Sequence, residues 1–201
     1  MILKQYYLGC LSHASYLVGD EQSRTAVVVD PQRDVDHYVR DAGDLGLTIT
    51  DVVLTHFHAD FVAGHLELQK RTGAPISLGA AGQPGYPFLP RREGDVIDPG
   101  GEVQLEVLET PGHTPEAISL VVKPPGGQPL AVLTGDTLFV GDVGRPDLAV
   151  AQGQPPEALA GALYDSLHGK LLGLPDETVV YPAHGPGSMC GSGQTSGTVS
   201  T

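Results

Sequence analysis

The segment "VVLTHFHADFVAGHLEL", residues 52–68, changes character in its middle. Its apolar first residues lead into His56, His58 and Asp60, and Phe61 follows directly. Successive side chains alternate along an extended chain, so the two histidines and the aspartate can project to the same side. Imidazole and carboxylate groups are the ligands that iron, zinc and similar divalent metals accept in proteins. The segment therefore predicts a buried strand whose end carries metal ligands.

Three further apolar runs also end in a potential metal ligand. "LEVLETPGHT" leads to His113, "LAVLTGDT" to Asp136 and "TVVYPAHG" to His184. Each of these residues alone could be a satisfied core or turn residue. A sheet whose loops gather at one edge would bring all four strand ends together, and the combination predicts a metal site. Four other histidines have no such context and are interpreted as surface or packing residues: His13, His37, His65 and His168.

Composition indicates a globular protein that does not bind nucleic acid. The 201 residues are 40% hydrophobic and 17% charged, which favours one domain or two small ones. The net charge of −13 would repel phosphate backbones. No apolar run reaches the roughly 20 residues of a membrane span, and the N-terminus lacks signal-peptide features. We therefore expect a soluble cytoplasmic protein. Two cysteines are too few for a disulfide framework, and Cys10 is expected to be buried.

Strand-like and helical patterns alternate along the first 187 residues, which we expect to form one domain. Helices are predicted from Asp34 through "DVDHYVRDAGDLGL", in "FVAGHLELQKRTG" and in "PPEALAGALYDSLHGKLLGLP". Strands with helices that cannot all lie on one face suggest two packed sheets with helices outside. Residues 188–201 are polar and rich in Gly, Ser and Thr. They are interpreted as a flexible tail or as the beginning of further modules.

The motifs resemble those of a known superfamily. "THFHAD", "TPGHT", "TGDTLF" and "YPAHG" occur in the order, and at about the spacing, seen in the metallo-β-lactamase superfamily. The resemblance implies an α/β (α+β) fold, the αββα sandwich of two mixed β-sheets flanked by helices. It also implies that the metal lies at one edge of the two sheets.

Phe61 departs from the dinuclear members of that superfamily. In hydrolases such as glyoxalase II the first motif reads His-x-His-x-Asp-His, and its last Asp-His pair helps to hold a second metal. Here that pair is Asp60-Phe61, and a phenyl ring supplies no lone pair. A single-metal site is therefore predicted. Three segments resemble the bacterial persulfide dioxygenases, including those fused to rhodanese domains. They are "HADFVAGHLEL", "GDTLFVGDVGRPDL" and "GPGSMCG".

The persulfide dioxygenase resemblance implies one Fe(II) per chain, with zinc as the alternative. Its ligands would be His56, His113 and Asp136, a two-histidine, one-carboxylate set. The implied reaction oxidises glutathione persulfide, or a similar low-molecular-weight persulfide, with O2 to sulfite and thiol. Three further residues would orient the ligands and bound water or oxygen: His58, Asp60 and His184. The resemblance also suggests a rhodanese partner or fused rhodanese module, and a homo-oligomer.

Two residues outside the metal motifs have open roles. Arg145 in "GRPD" either contributes to the pocket of the anionic thiol or pairs with Asp142 or Asp147 to fix its loop. Cys190 lies six residues beyond His184, so it could accept or relay sulfane sulfur. A reactive thiolate needs a lowered pKa, and "GSMCGSG" offers no basic neighbour to lower it.

Several competing functions remain open from the sequence. A zinc-dependent thioester hydrolase like glyoxalase II shares most of the predicted ligands, and a single zinc can generate hydroxide. A β-lactamase is disfavoured by Phe61, and a nuclease by the acidic net charge. A non-enzymatic scaffold module belongs to another class altogether, but a scaffold needs none of His56, His113 and Asp136.

Overall fold

The computed structural model describes all residues except 149–152, 154, 192, 194 and 196. The first half of the chain forms a sheet of six strands that lie side by side in chain order. The first two pairs are antiparallel and the remaining three are parallel. The strands are β1 (Ile2–Leu8), β2 (His13–Asp20), β3 (Thr25–Val29), β4 (Thr48–Val53), β5 (Ile76–Gly79) and β6 (Leu89–Arg91).

The second half forms a sheet of five strands in the order β11-β10-β9-β8-β7. Only the β10–β11 pair is parallel, so this sheet is mixed as well. Its strands are β7 (Val96–Ile97), β8 (Gln104–Glu109), β9 (Ile118–Lys123), β10 (Ala131–Gly135) and β11 (Val179–Pro182).

The helices lie on the outer faces of the two sheets. They are α1 (Asp36–Asp44), α2 (His65–Thr72) and α3 (Pro156–Gly169). One apolar cluster joins the facing sides of the two sheets, a second lies between the first sheet and α1 and α2, and a third covers the outer face of the second sheet. The predicted αββα sandwich is therefore confirmed, because each sheet buries one face against the other sheet and one face against helix or loop.

Local signals explain where the helices stop and start. Helix α2 ends at Gly73, whose φ of 78° is a left-handed conformation that glycine adopts without strain. In α3, the buried Leu159 and Leu163 face the core, as their spacing predicts. The prediction for α1 was wrong in detail, because Val35 and not Asp34 is the residue before the helix. The Asp34 carboxylate instead accepts a hydrogen bond from the Asp36 amide at 3.1 Å.

The described residues of the 188–201 segment contact the domain. Ser200 exchanges backbone hydrogen bonds with Val180 of β11, and the Thr195 amide donates to the Val140 carbonyl. Residues 192, 194 and 196 of this segment lie outside the described residues. Cys10 is exposed, contrary to expectation, because it lies in the turn after β1. Within the described part of the chain, no helix is long and apolar enough to cross a membrane.

Candidate metal centre

The strand ends of both sheets meet at one edge, as the sequence predicts. The Ile118 amide of β9 donates to the Thr55 carbonyl at 2.8 Å, which ties the end of β4 to the other sheet. Gly135, at the end of β10, has a φ of 54°, and a Cβ there would lie 2.6 Å from Thr55 Oγ1. The close approach of the two sheets thus requires glycine at this position. Asp136 follows directly and points its carboxylate into the edge.

An inner set of three side chains gathers around one carboxylate oxygen. Asp136 Oδ2 lies 3.6 Å from His56 Nε2 and 3.4 Å from His113 Nε2, and all three side chains are at most 3% exposed. Two ligands bound about 2.1 Å from one ion lie roughly 3.0–4.2 Å apart. Asp136 Oδ2 has no hydrogen-bond partner among the described residues. An unpaired buried carboxylate oxygen between two imidazole nitrogens fits a divalent metal, so the three residues form a candidate metal site.

Hydrogen bonds on the far side of each imidazole orient the two histidines. His56 Nδ1 lies 3.0 Å from Thr55 Oγ1, and His113 Nδ1 lies 3.0 Å from the Arg145 carbonyl oxygen. Because each Nδ1–H donates to an oxygen, each Nε2 keeps its lone pair free on the Asp136 side. These hydrogen bonds therefore hold both histidines in the tautomer that leaves Nε2 free to bind a metal.

Asp30 supports this arrangement from behind. Its Oδ2 accepts the Thr55 hydroxyl at 2.7 Å, and its Oδ1 accepts the Thr55 amide at 2.8 Å and lies 3.1 Å from His58 Nε2. The residue is buried with a φ of 51°, an uncommon conformation for a non-glycine residue. Sequence analysis missed Asp30 and Thr55. The signal was present, because Asp30 ends the apolar run "TAVVVD" as Asp136 ends "LAVLTGD".

A second set of ligand types lies beside the first. His58, Asp60 and His184 have ligand atoms within 4.8 Å of one another. His184 Nδ1 donates to Asp136 Oδ1 at 2.7 Å, and its Nε2 lies 3.0 Å from Asp60 Oδ2. Burial lowers the pKa of His184, but Asp136 and Asp60 outweigh burial and raise it to about 10. Burial likewise raises the pKa of Asp136, yet His184 and His56 hold it well below its usual value.

Phe61 lies against the second set and not against the first. Its ring centroid is 4.6 Å from that of His58 and 4.1 Å from that of His13. His13 is fully buried, and neither ring nitrogen has a hydrogen-bond partner among the described residues. Burial lowers the pKa of His13 to about 3, so the ring is neutral. His13 is thus a packing residue, as interpreted from the sequence, but its place beside the site was not foreseen.

Arg145 and Cys190 approach the site from its outer side. The Arg145 guanidinium donates to both carboxylate oxygens of Asp147, at 2.9 and 2.6 Å, which is the loop-fixing pair considered from the sequence. Cys190 is buried, and its sulfur lies within 4.8 Å of ligand atoms of Asp136 and His184. Burial and the neighbouring Asp136 raise the pKa of the thiol, so it stays protonated at neutral pH.

Comparison with known proteins identifies the superfamily of this chain. The sequence profile of the metallo-beta-lactamase superfamily matches residues 8–184, which is most of the chain. The chain belongs to this superfamily. It is 34% identical to the mitochondrial persulfide dioxygenase ETHE1 of Mus musculus over 187 residues, which cover 92% of this chain and 68% of that protein.

Two solved structures of superfamily members are similar to it. A metallo-beta-lactamase from Staphylococcus aureus subsp. aureus COL has a TM-score of 0.90 at 36% identity. The match covers 100% of this chain but only 60% of the S. aureus chain, so the present sequence spans less than two thirds of that protein. ETHE1 from Myxococcus xanthus has a TM-score of 0.81 at 36% identity, with 96% of this chain and 80% of that chain covered. The resemblance to the persulfide dioxygenase branch is therefore confirmed.

Proposed function

We propose that this metallo-β-lactamase superfamily protein is a persulfide dioxygenase that uses one Fe(II) ion. The observation that carries the proposal is the inner set of His56, His113 and Asp136, with Phe61 in place of the histidine that a second metal would use. Two imidazoles and one carboxylate are typical of non-haem iron oxygenases with open coordination positions. The likeness to ETHE1 proteins supports this choice among the activities of the superfamily.

The reaction that fits the site is RSSH + O2 + H2O → RSH + H2SO3. The two sulfur atoms together lose four electrons and O2 gains four, so no further reductant is needed. A bound Fe(II) would supply a cationic centre for the persulfide sulfur and for O2. The residues of the chain hold that centre: Asp136 contributes one negative charge, while His184 keeps Asp136 Oδ1 occupied and leaves Oδ2 free. The ligand side chains are at most 3% exposed, so they are held away from bulk solvent.

A zinc-dependent thioester hydrolase is the second candidate function. The observation in its favour is the set of His58, Asp60 and His184, which could hold a second ion beside the first. Two metals about 3.5–4 Å apart would activate a bridging hydroxide for hydrolysis. Phe61 argues against this candidate because it makes one wall of that set apolar.

Metal stoichiometry and oxygen uptake separate the candidates. The protein would be purified anaerobically, its metals quantified, and O2 consumption followed on adding glutathione persulfide or a small alkyl persulfide. About one iron per chain, with O2 consumed and sulfite released in equal amounts, is expected. Two zinc ions per chain with thioester hydrolysis and no O2 uptake would overturn the proposal. A protein that contains no metal and binds none would indicate the scaffold module instead.

We also propose the finer properties that the sequence features and the resemblance together lead us to expect. These are a cytoplasmic location, glutathione or a similar small thiol as the carrier, a rhodanese partner or fused module as a source of sulfane sulfur, and a homo-oligomer. Cys190 as a sulfur relay belongs with them. Its protonated thiol would first have to be deprotonated, and the adjacent carboxylates oppose that step.

A further inference from the structure

The stretch of residues 56–63, which carries His56 and His58, belongs to no helix or strand. No ladder of backbone hydrogen bonds therefore holds it in place. Among the described residues, Phe57 is the only one of these eight whose amide donates to another segment of the chain. Its acceptor is Oε1 of Glu116, at 2.8 Å. One side-chain carboxylate thus anchors the backbone of the ligand-bearing stretch.

The two peptide groups that flank the His56 Cα are both held from the other sheet. The Ile118 amide donates to the Thr55 carbonyl at 2.8 Å, which fixes the peptide plane before His56. Glu116 accepts the Phe57 amide, which fixes the peptide plane after it. The rotations of these two planes about the Cα are the φ and ψ angles of His56, and they direct its side chain.

Glu116 can serve as an anchor because its own position is fixed. The residue is buried, and a Cβ on Gly79 at the end of β5 would lie 2.0 Å from the Glu116 carbonyl oxygen. The position therefore has to be glycine. The next residue, Ala117, donates its amide to the Thr114 carbonyl at 3.4 Å and accepts the Thr110 amide at 2.9 Å. Moving the Glu116 carboxylate would require backbone of both sheets to move.

A buried carboxylate is a costly acceptor at this position. Glu116 adjoins a cavity of about 120 Å³, and none of the residues that line this cavity is Lys, Arg or His. A carboxylate held away from water without a cationic partner loses hydration free energy. An apolar side chain would fill the same space without that loss, but it could not accept the Phe57 amide. Packing alone therefore does not account for Glu116.

We propose that Glu116 is a positioning residue for the metal centre, which acts on His56 through the Phe57 amide. It keeps the His56 imidazole in the orientation that places Nε2 3.6 Å from Asp136 Oδ2. Because Glu116 lies three residues after His113, it also ties the positions of the two histidine ligands together. The reach of the acceptor oxygen is what the role requires, and not its negative charge. The inference rests on the metal site that the proposed function uses, but not on the reaction carried out there.

Two conservative substitutions separate reach from charge. Glu116→Gln keeps the length of the side chain and an acceptor oxygen but loses the charge, whereas Glu116→Asp keeps the charge and is shorter by one methylene. Binding of Co(II) would be measured in competition with a chelator, together with the d–d absorption bands of the bound ion. Glu116→Gln should match wild type, and Glu116→Asp should bind Co(II) about 10–100-fold more weakly with altered bands. Glu116→Leu, which fills the space without an acceptor, is a second variant for the same loss.

Asp20 provides the matched control. It is also a buried carboxylate that accepts backbone amides, those of Gln22 and Ser23 at 2.8 and 2.9 Å, but it lies at the opposite end of β2 from His13. Asp20→Asn and Asp20→Glu should change the free energy of unfolding of the metal-free protein and leave Co(II) affinity unchanged. Unfolding measured for every variant then separates a loss of stability from a loss of metal affinity.

The possible outcomes distinguish the inference from the proposed function. Equal Co(II) affinity and spectra for wild type and Glu116→Asp would overturn the inference, and so would equal weakening by the Asp20 variants. Weaker binding by Glu116→Gln alone would assign the effect to charge and would also overturn it. A wild-type protein that binds no Co(II) would overturn the inference and the proposed function together. The expected Co(II) pattern without O2 uptake by the iron-loaded wild type would reject the dioxygenase function and support the role of Glu116.

Discussion

Replacing Thr55 with valine would test whether metal binding depends on the orientation of His56. The ligand itself would remain in place. Valine keeps the shape of threonine but loses the hydroxyl that donates to Asp30 Oδ2 at 2.7 Å and lies 3.0 Å from His56 Nδ1. A hydrogen bond to a charged group contributes about 1.5–3 kcal/mol, and a buried unpaired N–H costs a further 1–3 kcal/mol. Because the two terms overlap at one hydroxyl, we expect the metal-free protein to lose about 2–4 kcal/mol.

The same substitution should weaken metal binding. Loss of a group that orients a ligating histidine typically lowers metal affinity by about 10–100-fold. Affinity would be measured with Co(II) in competition with a chelator, and stability by denaturant unfolding of the metal-free protein. Thr25→Val is the matched control, since the Thr25 hydroxyl donates to the Pro99 carbonyl at 2.8 Å at the other end of β3. If Thr55→Val and Thr25→Val bound Co(II) equally well, the argument that Thr55 orients His56 would be refuted.

Three further changes test other parts of the structure. Phe61→His should raise the metal content from about one towards two ions per chain by elemental analysis, and an unchanged ratio would contradict the role given to Phe61. Arg145→Ala and Asp147→Ala should lower kcat/KM by similar factors, because the two residues form one pair; a much larger rise in KM for Arg145→Ala would instead indicate contact with substrate. Asp41→Asn should cost about 1 kcal/mol at pH 7, because the hydrogen bond from Lys4 lowers the pKa of Asp41. That difference is complete above the ordinary pKa of about 4, and it should disappear in unfolding measurements as the pH falls through the lowered pKa of Asp41 in the folded protein.

The candidate ligands could be predicted because each one interrupts a local pattern. An apolar run that stops at a histidine or aspartate is visible in one sequence, and the runs before His56, His113 and Asp136 all form buried or partly buried strands. The longer strands and all three helices were also predictable, because their apolar patterns are likewise visible in one sequence. Strands β6 and β7 were not, because they are three and two residues long and mostly exposed, and such short segments show no periodicity.

The surroundings of the ligands depend on contacts between distant parts of the chain. His13 begins β2 of the first sheet but forms a bridge to His184 of the second. Only the packing of the two sheets brings its ring to within 5.4 Å of the rings of His58 and His184. The sequence around His13 does not indicate this contact, because many other residues also lie at strand ends. For Asp30, the position at a strand end was visible in the sequence, but its hydrogen bonds with Thr55 were not.

The number of metals the site can hold follows from what its second set of ligands already contacts. His58 Nε2 lies 3.1 Å from Asp30, and His184 lies between Asp136 and Asp60. A second ion would need a neutral His184, and Asp136 and Asp60, which raise the pKa of His184, make its proton costly to remove. A first ion on Asp136 reduces this cost by sharing the carboxylate's charge, but Asp60 remains 3.0 Å from His184 Nε2. Phe61 supplies no ligand that would offset this cost, and these contacts therefore support the proposal of a single-metal centre.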